Sequence, residues 1–184
     1  LFQYLHAKRE HQLPCILSQE EVFKVLDCVT TFHNYTYYST VYACGLRLSE
    51  GLSLQISDID SQRMMIHVHR GKGAKDRYVP LPEETLDLLR RYWVTHRNSK
   101  LIFPTLGRSG QQGPAAQTPM NRSSVQGAFI RAKKASGIKK RRVPIHTLRH
   151  CYAQLTFWKE ASTPGSYNSI WAIAVWKPQW HIFT

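Results

Sequence analysis

The sequence predicts a mainly helical α+β domain with one small antiparallel sheet, and three observations carry that expectation. Apolar residues recur at helical spacing, as over Glu83 to His96 with Leu86, Leu89 and Trp93. One stretch, Met64 to His69, alternates apolar and polar with a β-branched bias, is broken by Gly71-Lys72-Gly73-Ala74, and resumes from Arg77 to Leu81, which is the pattern of a hairpin. The chain has 184 residues, 42% of them hydrophobic, enough for a single domain with its own core.

Taken in order, Ser18-Gln19-Glu20-Glu21 has the form of a capping box with acids in the first turn, opening a helix whose apolar face continues through Val22, Val25 and Leu26. A second helix is expected over Tyr35 to Ala43, and a short helical stretch after Gly45 carries Leu46, Leu48 and Leu52. The hairpin and the Glu83 to His96 helix follow. Arg108 to Met120, rich in Gly, Pro and Gln, reads as a loop. A basic helix is expected from Ser123 to Ser136, and Pro144 precedes another that begins near His146. There is no internal repeat. The expected division is a linker remnant over residues 1–12, one domain over 13–153, and a tail over 154–184 of different character.

Charge narrows the function. The net charge is +13, so the expected partner is a polyanion, and double-stranded DNA is favoured over membrane because no apolar run approaches the roughly 18 residues needed to span one. Leu88 to Lys159 holds fifteen Lys and Arg and no acid, whereas Leu1 to Asp87 holds nine basic and eleven acidic residues. The densest part contains Arg131, Lys133, Lys134, Lys139, Lys140, Arg141 and Arg142, which are the expected DNA-backbone contacts. Cys15, Cys28, Cys44 and Cys151 are scattered, without a C-x-x-C pair, so neither a zinc site nor a disulfide framework is indicated, no metal-binding residues are expected, and a reduced, cytoplasmic protein is expected. No targeting pattern is present, and the opening at Leu1 suggests a missing N-terminal part.

Three motifs in one order carry a resemblance. Gly45-Leu46-Arg47-Leu48-Ser49-Glu50, then Gly71-Lys72-Gly73, then His146-Thr147-Leu148-Arg149-His150 resemble the G-L-R-x-S-E, G-K-G and H-x-x-R-H elements of the tyrosine recombinases, or phage integrases. Leu13-Pro14 and Leu17-Ser18-Gln19-Glu20-Glu21-Val22 also resemble the lead-in to that family's catalytic domain, so the resemblance covers roughly Pro14 to Ala153. It implies the recombinase catalytic-domain fold, incomplete at its C-terminus, after a missing N-terminal core-binding domain.

It also implies a reaction: a tyrosine hydroxyl attacks a DNA phosphodiester and forms a 3′-phosphotyrosine, with no metal, no nucleotide cofactor and no small-molecule substrate. By this resemblance Arg47 and Arg149 are the phosphate-binding pair, Lys72 is the proton donor to the departing 5′-oxygen, and His146 bonds the phosphate and handles protons. Guanidinium groups suit the first role because each is permanently cationic and can donate two parallel hydrogen bonds to a phosphate. A hairpin lysine suits the second if cationic neighbours lower its pKa. Each residue alone would be read as an ordinary surface group; the four in family order would not. Glu50 is expected to be structural, pairing with a nearby arginine. Family members act as oligomers on paired DNA sites.

The resemblance stops after Ala153. The family continues to an L-G-H-x-S-x-x-T-T-x-x-Y segment that ends in the nucleophile, but Gln154 to Thr184 instead carries Trp158, Trp171, Trp176 and Trp180 with no amphipathic period. Tyr152 and Tyr167 fall too soon after Arg149 to serve. Written back into codons and read two bases later, Trp171 to Thr184 permits G-H-S-S-L-E-T-T-M-A-Y-F-H, the missing segment in order, with the tyrosine codon straddling His181 and Ile182. The other shift cannot encode the histidine. A frameshift near Ala153 is therefore expected, and with it a chain that has no nucleophile. Two functions follow: strand exchange by the intact gene of a mobile element, and DNA binding without cleavage by this polypeptide. A type IB topoisomerase shares the chemistry, but the motif contexts favour a recombinase.

Overall fold

The computed structural model describes residues 15–69, 76–107, 113–140 and 143–152. Its elements are α1 (Gln19–Asp27), α2 (Phe32–Cys44), α3 (Leu48–Leu52), a 3-10 turn (Ile56–Asp58), β1 (Ile59–Asp60), β2 (Met65–Val68), β3 (Arg77–Pro80), α4 (Glu83–His96) and α5 (Arg122–Ala135). A last helix, α6, is described over residues 146–152. The α+β class expected from the sequence is the one observed. The 1–12 linker and the 154–184 tail lie outside the described residues.

Local chemistry sets most boundaries. The Ser18 side chain accepts from the Glu21 N–H while Glu21 accepts from the Ser18 N–H, the reciprocal box that starts α1. Asn121 starts α5 by accepting from the N–H groups of Ser123 and Ser124. Gly45 ends α2 at φ 59°, in the left-handed region, and turns the chain toward α3.

The sheet has three antiparallel strands in the order β1-β2-β3 rather than the two of the expected hairpin. The added strand, β1, is only two residues long, and the chain reverses into β2 through a turn in which the Asp60 carboxylate accepts from the N–H groups of Gln62 and Arg63. Register pairs Ile66 with Val79 and Val68 with Arg77. Ile66 and Val68 face the core, so His67 and the other alternate positions face outward.

The core lies around α2, where Tyr37 and Tyr38 are fully buried. The Tyr37 hydroxyl donates to the Leu48 carbonyl at 2.7 Å and that of Tyr38 to the Val125 carbonyl at 2.6 Å, so neighbouring residues fasten α2 to α3 and to α5. Edge-on contacts of Tyr37 with Phe103 and of Tyr38 with Phe129 fill the space between. Trp93 shares the helical spacing of Leu86 and Leu89 but is 37% exposed, while its neighbour Tyr92 and His96 fill the core side of α4. The indole stays near the surface because its N–H donates to the Asn98 carbonyl just beyond the helix.

Candidate functional site

Gly45 and Glu50 organise the site. A Cβ on Gly45 would lie 2.4 Å from Cδ1 of Tyr152, so the tyrosine ring of α6 packs directly over the turn between α2 and α3. The Gly45 carbonyl accepts a hydrogen bond from Nη1 of Arg149, also on α6, across 104 positions of sequence. Arg47 stands at the N-cap of α3. Its backbone N–H donates to Glu50 Oε2 at 2.7 Å and its Nη1 to Glu50 Oε1 at 2.6 Å.

Arg77, which opens β3, completes the cluster with a two-pronged bond to the same carboxylate: Nη1 to Oε1 at 2.8 Å and Nη2 to Oε2 at 2.7 Å. Nη1 of Arg149 lies 3.8 Å from Glu50 Oε2. Burial of the carboxylate, only 7% exposed, would raise its pKa; the Arg77 fork and the bonds from Arg47 reverse that and hold it at about 2. The bond to Glu50 in turn raises the pKa of Arg77. Arg149 moves the other way, lowered by desolvation and then by its cationic neighbours Arg47 and Arg77. Three guanidinium groups around one carboxylate leave an excess of positive charge. Each guanidinium carries five N–H donors, and the three side chains keep 38%, 30% and 33% exposure, so donors remain for an anion in solvent.

Of the expected site residues, Arg47 and Arg149 are thus brought together. His146 opens α6 and is exposed, one helical turn before Arg149 on the same face. Its ring meets that of His150 edge-on with centroids 5.7 Å apart, and desolvation, then His150, lower its pKa, so the neutral ring prevails near pH 7. Lys72 lies outside the described residues, as do Arg141 and Arg142. Arg131 and Lys134 are exposed on α5, Lys133 is half-buried there, and Lys139 is exposed beyond it. Lys140 is engaged within the protein, donating to the Ile16 carbonyl at 2.9 Å and to Glu21 Oε2 at 2.6 Å.

Sequence reasoning foresaw an arginine partner for Glu50 but did not identify Arg77. The available signal was register: Arg77 falls on the same, inward side of β3 as Val79, where a charged residue needs a partner. In the sequence Gly45 is marked only as part of a motif; its positive φ and the ring above it are products of the fold.

The Phage integrase family matches residues 16–157. The chain is 41% identical over 146 residues to y4qK of Sinorhizobium fredii, covering 79% of this chain and 44% of that protein. To the tyrosine recombinase XerA of Thermococcus onnurineus it is 32% identical over 143 residues, covering 77% and 48%. The chain thus spans about half the length of the curated relatives it matches. Among solved structures, that of XerA recombinase superposes with a TM-score of 0.63 at 27% identity, over 83% of this chain and 53% of the other. The lambda integrase catalytic core does so with a TM-score of 0.63 at 18% identity, over 79% and 85%, a likeness of fold. With the arginines of its first and last motifs gathered on one carboxylate, and with these relatives, the chain belongs to the phage integrase family, as a catalytic domain of the tyrosine recombinases.

Proposed function

We propose that this domain grips the scissile phosphate of duplex DNA with Arg47 and Arg149, and that the intact gene performs site-specific strand exchange through a 3′-phosphotyrosine. The observation that carries this reading is the convergence of the two arginines, from the first and the last of the three motifs, on the buried carboxylate of Glu50. Glu50 is the positioning residue: it holds Arg47 and Arg77 by charge-assisted bonds while donors remain for phosphate. In the reaction, a tyrosine oxygen bonds to phosphorus as the bond to the 5′-oxygen breaks. Lys72 supplies the proton to that oxygen, and His146 bonds the phosphate and takes up the proton that the tyrosine hydroxyl gives up. No metal or nucleotide cofactor takes part, and the energy of the broken bond is kept in the covalent intermediate. Rejoining runs the same steps backwards.

The polypeptide as it stands binds DNA without cutting it. Residues 154–184 are read as out of frame, and the family match ends at residue 157, close to the proposed change. Tyr152 is unsuited to replace the missing nucleophile, because it follows Arg149 by only three positions and its ring is packed over Gly45. The DNA partner and assembly on paired sites are supported by solved relatives of the fold: XerH bound to its difH substrate, and a lambda integrase tetramer bound to a Holliday junction. No helix among the described residues is long and apolar enough to cross a membrane, and the proposed setting is the cytoplasm.

A nicked suicide substrate tests this. Restoring the frame after Ala153, with an N-terminal domain supplied, should yield a covalent protein–DNA adduct on cognate DNA, and the unrestored chain none. An adduct formed by the unrestored chain would overturn the reading of the tail. A restored protein that relaxed supercoils but failed to join two sites would point to a topoisomerase.

A further inference from the structure

On the outer face of the sheet, away from the arginine cluster, His67, His69 and Asp76 bring three ligating atoms within 4.8 Å of one another. Strand geometry explains the gathering. His67 is on β2 and His69 lies one position past its end, two positions along the chain, so the alternation of the strand sets both toward the same side. The register that pairs Val68 with Arg77 sets His69 and Asp76 opposite each other at the next step. The inward positions Ile66 and Val68 are buried, which leaves this polar set to solvent.

We propose that His67, His69 and Asp76 bind a first-row transition-metal dication, of which zinc is the representative. The Asp76 carboxylate oxygen lies 3.3 Å from Nε2 of His67 and 3.6 Å from Nδ1 of His69. Ligands at about 2.0–2.1 Å from a tetrahedral zinc stand roughly 3.3–3.4 Å apart, so the two separations from Asp76 are close to those a metal needs, and the two imidazoles, within 4.8 Å of each other, would close in on the ion. Two imidazoles and one carboxylate suit zinc, nickel or copper, whereas magnesium and calcium prefer an all-oxygen set.

Two of the three ligands are also held in place by neighbours, which a chance cluster does not require. The other ring nitrogen of His69, Nε2, lies 2.9 Å from Oδ1 of the buried Asp58, the carboxylate–histidine pairing that leaves Nδ1 for a metal. Asp58 is fixed in its turn, because its second oxygen accepts from the Gln55 N–H at 2.8 Å. His67 is stacked on Tyr78 with centroids 4.7 Å apart and planes 16° from parallel. Bound there, the metal would tie the end of β2 to the start of β3, on either side of residues 70–75. It takes no part in the proposed reaction at phosphate, and the inference does not rest on that reaction.

The test uses the whole chain, stripped with a chelator and titrated with zinc chloride by calorimetry, and with cobalt chloride by visible absorbance. One equivalent of zinc should bind, and cobalt should give the strong d–d bands of a low-symmetry nitrogen and oxygen site. His67→Gln, His69→Gln and Asp76→Asn should each weaken zinc binding by at least about tenfold, magnesium should not compete, and Cys151→Ser should change nothing. The side chains of His67 and Asp76 are 27% and 50% exposed, so His67→Gln and Asp76→Asn should melt close to the parent in the absence of metal, whereas His69→Gln also removes a partner of the buried Asp58 and should melt lower, which leaves the first two variants to carry the test. Failure of zinc to bind, or binding unaffected by the three substitutions, overturns the proposal and leaves a surface cluster of hydrogen bonds.

Discussion

Glu50 is a carboxylate whose neighbours decide its charge, and its titration should be visible in the stability of the protein. Its pKa is held at about 2 in the folded chain against an ordinary 4.5. A depressed folded value means that the charged form is favoured by folding, so the contribution is fully present above about pH 4.5 and is lost as pH falls toward 2. Glu50→Gln should therefore cost about 2 kcal/mol at pH 7, the scale of charged hydrogen bonds lost, with Arg47 and Arg77 left less well paired. The gap between parent and variant in urea melts should close between pH 4.5 and pH 2. A gap that widened on acidification would mean that Glu50 is protonated in the native state, contrary to its arginine contacts.

At the scale of elements, Asn98 does for a loop what Glu50 does for the site. Buried just past the end of α4, it donates through Nδ2 to the carbonyls of Pro114 and Ala116, each at 2.9 Å, while its Oδ1 accepts from the N–H groups of Lys100 and Leu101. An aspartate there would keep the acceptor but set a negative charge against two carbonyls. Asn98→Asp should destabilise the domain by about 2–3 kcal/mol in thermal or urea unfolding, and a cost under about 0.5 kcal/mol would show that the 113–116 segment gains little from this anchor. The contrast with sequence reading is physical. α1, α4, α5 and α6 were legible because caps and helical periods are local signals, and Gly45, Arg47 and Glu50 were legible because they form a contiguous motif. The role of Asn98, the two-residue β1, the outward Trp93 and the Arg77 fork were not, since each is set by what the rest of the chain brings alongside. A buried asparagine just past a helix end carries no mark in the sequence of the two distant carbonyls that it binds.

Across the whole molecule, the basic half and the arginine cluster should act as one electrostatic surface toward DNA. Binding to duplex DNA, followed by anisotropy, should weaken steeply between about 50 and 200 mM salt, because each phosphate neutralised contributes roughly 0.9 to the slope of log affinity against log salt. Lys134→Gln and Lys139→Gln should each lower that slope by up to this amount. Lys140→Gln should leave it nearly unchanged, since this ammonium is already bonded to Glu21 and to the Ile16 carbonyl. Equal losses at all three positions would place Lys140 on the DNA after all. The same lysine belongs to a closure whose meaning changes when the chain is followed through its synthesis. Ile16 and Leu17 are made 124 and 134 residues before Lys140 and Cys151, whose side chains bond to their carbonyls. While the chain is being made, water must satisfy those carbonyls, and these two contacts cannot form until Lys140 and α6 have left the ribosome. The change of frame proposed after Ala153 would lie beyond every partner in that closure and leave all of them in place.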